Sequence, residues 1–285
     1  MEEKIRFGPA GNSQIFYDDG FKHSIDAPKW CASKGLFAYE YSFGRGFTMT
    51  TDTIKILGKN AKDSGVLISF HAPYYINLAN PSDEMAVKSF EYIKKGMQFL
   101  KIAGGKDYVV HLGTQGKLER SDAVYLIDKR LDEVLKIIYD ENLNVCNLCP
   151  ETMGKYMQIG SYKEIIDYCA KDKLLVPTFD FGHINCTMQG ALKTQDDYKR
   201  ILDYSFEKLG ESRTKNCHIH FSKIEFSDKG EIKHLNLDDT VYGPEFEPLA
   251  SVLKQYKMTP TVISESKERM MEDAIKLCDI YNSVN

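Results

Sequence analysis

The sequence predicts an α/β chain folded as one closed, parallel (β/α)8 TIM barrel across residues 1–285, and three observations carry that expectation. Short apolar runs rich in β-branched or aromatic residues recur eight times. Segments of helical periodicity separate them, with no long Pro-, Ser- or Gly-rich linker. Histidines and carboxylates then stand where the runs end. The strand ends of a barrel converge on one mouth, whereas a doubly wound open sheet would spread the same residues along a crevice.

Taken in order, the strand-like runs cover residues 5–7, 38–41, 66–70, 108–110, 145–148, 174–179, 216–220 and 261–264. Between the third and fourth, residues 84–103 carry Met85, Phe90, Ile93, Met97 and Leu100 at helical spacing. Gly104-Gly105 reads as the stop of that helix rather than as a phosphate cradle. Residues 123–140 repeat the pattern with Leu126, Leu131, Val134, Leu135 and Ile138. His23 reads as a loop residue, and Lys94, Lys95, Lys101 and Lys106 as solvated helix faces. Glu225 and Glu231, on either side of Gly230, read as the flanks of a hairpin turn, and Asn77 as a residue that fixes its own loop.

Composition narrows the function classes. With 42% hydrophobic and 27% charged residues the chain has the make-up of a globular domain with a sizeable core. No run approaches the roughly 20 apolar residues of a membrane span, and the first residues lack the apolar stretch of a secretion signal, so a cytoplasmic protein without a membrane partner is expected. Seven cysteines without framework spacing fit reduced thiols, and Cys146-x-x-Cys149 reads as buried strand thiols rather than a zinc knuckle. The net charge of -4 announces no diffuse basic face, although a metal cluster can itself supply the positive charge that a phosphate needs. No protein partner is implied.

The chemistry lies at the run ends. His71, His111, Glu151, Asp180, His183, His218, His234 and Glu265 are imidazoles and carboxylates, the donors that divalent transition metals prefer, and gathered at one rim they would hold metal. No Ser-His-Asp or Cys-His arrangement has a recognisable nucleophile setting. Two metals roughly 3.5 to 4 Å apart, bridged by one carboxylate, would instead lower the pKa of a shared water and clamp a phosphodiester, so attack by metal-bound hydroxide is expected. Glu151, ending a central strand between two histidine-bearing halves, is the expected bridge and catalytic carboxylate. Tyr74 and Tyr75 would stack on or wedge between bases, and Arg45 would reach a groove or phosphate.

At His71-Ala-Pro-Tyr-Tyr-Ile-Asn-Leu78, Val110-His-Leu-Gly-Thr114, Pro150-Glu-Thr-Met-Gly-Lys155, Asp180-Phe-Gly-His183 and His218-Ile-His-Phe-Ser-Lys223 the chain resembles the endonuclease IV family of apurinic/apyrimidinic endonucleases, within the xylose-isomerase-like barrels. The resemblance implies an enzyme of DNA repair that cuts DNA containing abasic sites with a cluster of Zn2+ ions. His71, His111 and Glu151 match the residues of the first metal, and Glu151, Asp180, His218 and Glu265 those of the second. The third is held in the family by histidines matching His183 and His234 and by an aspartate two positions before the latter. Ile232 stands at that position here, so Glu231, Asp228 or His220 would have to replace the carboxylate. Two or three ions are expected, with Mn2+ or Fe2+ as other ions these donors accept.

Two other readings compete. A metal-dependent sugar isomerase or epimerase of the same barrel superfamily would use one ion and need only Glu151, Asp180, His218 and Glu265, leaving His71 and His111 as surplus. A DNA-lesion binder with a decayed cluster would bind with little turnover.

Overall fold

A computed structural model describes residues 4–44 and 46–284. Among the described residues ten strands and ten α-helices follow in chain order: β1 Arg6–Pro9, α1 Gln14–Asp18, α2 Ala27–Ser33, β2 Ala38–Ser42, α3 Thr51–Ser64, β3 Leu67–His71, α4 Asp83–Ala103, β4 Asp107–Val110, α5 Arg120–Asp140, β5 Asn147–Pro150, α6 Tyr162–Cys169, β6 Thr178–Asp180, α7 Phe181–Thr187, α8 Gln195–Lys215, β7 His218–Phe221, β8 Lys223–Ser227, β9 Gly230–Leu235, α9 Glu247–Gln255, β10 Thr261–Ser264 and α10 Met270–Ser283. No helix among the described residues is long and apolar enough to cross a membrane.

Eight strands close into the expected barrel. β2, β3, β4 and β5 pair in parallel in that order, as do β6, β7, β10 and β1. Single parallel bridges join the two arcs, Ala10 to Glu40 on one side, Leu148 to Leu175 and Glu151 to Thr178 on the other. The remaining strands, β8 and β9, form an antiparallel hairpin outside the ring.

Local chemistry explains the elements. Ser82 caps α4 by accepting from the Met85 N–H, and Gly104 ends it in the left-handed conformation at φ 67°. Side chains alternate across each strand, so Tyr108 packs outward on α4, where a Cβ at Gly96 would fall 2.0 Å from its ring, while Asp107 points into the lumen. By the same alternation Glu40, Ser69, His218 and His220 occupy a polar, fully buried lumen, and the apolar core lies between strands and helices.

Several strands begin later than their apolar runs. Val145 is exposed and the fifth ladder starts at Asn147. Pro177 has no N–H to give, and the sixth starts at Thr178. The seventh starts at His218 rather than ending near it, which alters the depth of that residue in the barrel. Cys146 precedes β5 and Cys149 lies within it, both buried free thiols. Lys106 lies on no helix; it precedes β4, with Nζ 3.9 Å from Asp107 Oδ2.

The β1–β2 seam depends on one glycine. Phe37 N–H donates to Phe7 O (3.2 Å) and Gly11 N–H to Glu40 O (2.9 Å), and a Cβ at Gly8 would lie 1.9 Å from the Ala38 carbonyl oxygen. Gly8→Ala is therefore expected to cost on the order of 3 kcal/mol, because the obstacle is backbone in a closed ring. Urea unfolding checks this. A variant that unfolds with the parent would show that the seam has slack.

Candidate metal centre

The mouth is built from strand ends. His71 closes β3, His111 follows β4, Glu151 follows β5, Asp180 closes β6, His220 lies in β7 and Glu265 follows β10. Glu151 is held from both sides, its N–H donating to Val110 O and its backbone bridging to Thr178. Its carboxylate is the centre of the arrangement: Oε2 lies 3.1 Å from His71 Nε2 and 2.8 Å from His111 Nε2, and Oε1 lies 3.1 Å from His220 Nδ1. Glu265 Oε2 stands 3.4 Å from the same His220 nitrogen.

Asp180 has two tasks. One oxygen caps α7 by accepting from the His183 N–H (2.7 Å), which explains the Asp-x-x-His spacing. The other, Oδ2, is buried with no hydrogen-bond partner and faces His183 Nδ1 at 3.3 Å. His183 turns its far nitrogen, Nε2, toward Glu231 Oε2 at 3.5 Å, and His234 Nε2 stands 4.0 Å from Glu231 Oε1.

The hairpin explains the carboxylate absent at position 232. Glu225 pairs with Lys233 but Phe226 with Glu231, so Ile232 is the extra residue of a β-bulge and its side chain is 52% exposed. The bulge reverses the alternation, and Glu231 takes the face that His234 occupies. Gly230, at φ 97°, brings the turn so close that a Cβ would meet Gly154 O at 2.2 Å, and Glu231 N–H donates to that oxygen (2.8 Å). Of Glu231, Asp228 and His220, the replacements considered for the missing carboxylate, Glu231 is thus the one that stands with His183 and His234.

Among the described residues four donor groups result, each with its ligand atoms within 4.8 Å of one another: His71, His111 and Glu151; Glu151, Asp180, His220 and Glu265; His183, Glu231 and His234; and, below the mouth, Glu40, His218 and His220. His218, expected in the second group, is placed elsewhere. As the first residue of β7 it lies below the mouth, with Nε2 2.9 Å from Glu40 Oε2 and Nδ1 3.3 Å from Asp107 Oδ2. His220, two residues on and on the same strand face, occupies the expected position. The His-x-His spacing was the available signal; Glu40, a carboxylate inside an apolar run, was another.

Electrostatics match the donor chemistry. Burial pushes the Glu151 carboxyl up, but the charges of His111 and His220 outweigh it and hold it well below the usual range. Burial pushes His71 down, yet its hydrogen bond to Glu151 carries it up to about 9. For Asp180 burial wins over His183, and its pKa rises to about 6. Buried carboxylates at this density require cations close by, either protons on the imidazoles or metal ions. The uncommitted Asp180 Oδ2 and the imidazole nitrogens facing carboxylates fit metal ions.

Tyr74 and Tyr75 lie on the loop after β3, 64% and 39% exposed, with Tyr75 packed on Tyr92 at a ring distance of 4.8 Å. Arg45 lies outside the described residues, and His23 is exposed.

A closed barrel gathers imidazoles and carboxylates at its mouth in groups that could hold metal ions. Residues 28–279 match the family described as Xylose isomerase-like TIM barrel, and the chain belongs to it. An uncharacterized protein of Methanocaldococcus jannaschii is 33% identical over 284 residues, covering 99% of both chains. A probable endonuclease 4 of Staphylococcus carnosus is 27% identical over 214 residues, covering 71% of this chain and 69% of that one. The crystal structure of a D-tagatose 3-epimerase-like protein, 20% identical, superposes with a TM-score of 0.69 over 89% of this chain and 90% of that one, a likeness of fold.

Proposed function

We propose that this chain is a metal-dependent phosphodiester hydrolase acting on DNA, an endonuclease IV-like enzyme of abasic-site repair. The observation that supports it is the merging of donor groups through Glu151, whose two oxygens face different histidines. One-ion sugar chemistry needs only the group of Glu151, Asp180, His220 and Glu265; His71 and His111 on one side and His183, Glu231 and His234 on the other then lack a purpose. The sequence relative named as a probable endonuclease 4 agrees with this reading.

Zinc ions bound there would supply positive charge for the phosphate and lower the pKa of a water. The remaining work falls to the chain. Glu151 keeps the two halves of the basin in register, and His220, rather than His218, is the β7 donor. His183 and His234 share Glu231 at the hairpin side of the basin. Tyr74 offers a ring face to an unstacked base or sugar, with Tyr75 braced on Tyr92 behind it.

The second reading, a sugar epimerase, is favoured by one observation: Glu151, Asp180, His220 and Glu265 by themselves make a complete four-donor set. Metal content separates the two. Two or three zinc ions per chain, with chelator-sensitive incision of a duplex carrying one tetrahydrofuran lesion, are expected of the nuclease. One ion per chain, an intact duplex and turnover of ketohexoses would establish the epimerase instead.

A further inference from the structure

Beneath the basin a second set of buried charges runs down the barrel axis. His220 Nε2 stands 3.0 Å from Glu40 Oε1, and the other Glu40 oxygen accepts from Ser69 Oγ (2.7 Å) and lies 2.9 Å from His218 Nε2. His218 Nδ1 faces Asp107 Oδ2 at 3.3 Å, and Asp107 Oδ1 accepts from Asn147 Nδ2 at 2.8 Å. Glu40, Asp107, His218 and His220 are all buried. The imidazole contacts to Glu40 are short but lie off the ideal hydrogen-bond line, as ion-pair contacts do.

His220 differs from His71, His183 and His234. His71 Nδ1 is 2.9 Å from Ala72 O, His183 Nδ1 is 3.0 Å from Thr152 O, and His234 Nδ1 is 2.9 Å from Ser222 Oγ. Each of those nitrogens has a neutral oxygen beside it, His183 Nδ1 with Asp180 Oδ2 at 3.3 Å as well, and the rings of His71, His183 and His234 turn Nε2 toward Glu151 or Glu231. His220 is reversed: Nδ1 faces Glu151 and Glu265, and a full carboxylate stands behind Nε2. Carboxylates stand at both nitrogens of His220, so a metal ion that takes Nδ1 leaves the one proton of the neutral ring on Nε2, where Glu40 faces it. His218 has a carboxylate at each nitrogen as well, Glu40 at Nε2 and Asp107 at Nδ1.

We propose that Glu40, fixed by Ser69 and His218, is a positioning residue that keeps the proton of His220 on Nε2 and presents Nδ1 to the basin. The inference rests on the metal reading above and assigns a role to lumen residues that contact no substrate. Two measurements on zinc-loaded protein test it. Long-range 15N–1H spectra should show His220 protonated on Nε2 and bare on Nδ1. Titration against a graded chelator should show Glu40→Gln losing one ion with about 10- to 100-fold weaker affinity, the ions at His71/His111 and His183/His234 holding as in the parent. Ser69→Ala, a milder change, should weaken the same ion by a smaller factor.

A proton on His220 Nδ1 in the loaded parent overturns the assignment. So does a Glu40→Gln titration that superposes on the parent, or a further ion held between Glu40, His218 and His220. A parent protein that takes up no zinc sinks the metal reading itself, and Glu40's role with it, a result distinct from the others.

Discussion

Replacing Glu151 with glutamine is expected to lower phosphodiester turnover by on the order of 1,000-fold or more and to strip ions from both groups that the carboxylate joins. The size follows from position. Oε2 serves His71 and His111 while Oε1 faces His220, so one amide weakens two donor sets at once. The fold should survive, because glutamine has the same shape and its oxygen still meets one side of the histidine ring. Single-turnover incision and metal content per chain check both parts. A Glu151→Gln protein that keeps every ion and most of its rate would remove the bridging role. If the parent binds lesion DNA without cutting, and Glu151→Gln binds it equally, the chain is a lesion binder instead.

How far the sequence disclosed this site depends on which physical variable each residue needed. Helical stripes such as Met85, Phe90, Ile93, Met97 and Leu100 are local, because an apolar face must cover the sheet wherever the helix lies. Strand ends at His71, His111, Glu151 and Asp180 were legible for the same reason, since each apolar run stops where the mouth begins. Depth along the barrel axis is not local. His218 pairs in register with Thr178 and Thr261, and that register, set by neighbouring strands, puts its side chain one layer below His220. Among Glu231, Asp228 and His220 the choice stayed open because a bulge changes which residues share a face without changing composition. Glu40 was hidden by its surroundings, a carboxylate in the middle of a run whose neighbours, Tyr39 and Tyr41, mark it as strand.

Metal-free protein is expected to lose stability as the pH rises from about 6.5 to about 9, with Tm falling by on the order of 5–10 °C. Burial pushes His183 down, but the charges of Asp180 and Glu151 carry it up to about 9, as Glu151 does for His71. A histidine raised in this way stabilises fully below its unfolded pKa of about 6.5, and that contribution is lost as the pH climbs through the folded value. Each shift corresponds to about 3 kcal/mol; the two share Glu151, so their sum is smaller than twice that, and about 3 kcal/mol in total sets the expected Tm change. Asp180, raised to about 6 by burial, acts in the same direction at lower pH, since the unfolded chain releases that proton near 4. Glu265 opposes them only in acid: burial pushes it up, His220 holds it at about 2, and its contribution is present above about 4.5 and fades as the pH falls toward 2. Zinc reverses the dependence between pH 6.5 and 9. The metal takes nitrogens that protons have left, so affinity rises with pH and the gap between loaded and chelated melting curves widens. Scanning calorimetry of both forms at pH 6 and pH 9 decides it. A chelated protein whose Tm holds or climbs across that interval would mean that protonated histidines are not what balances the carboxylates around Glu151.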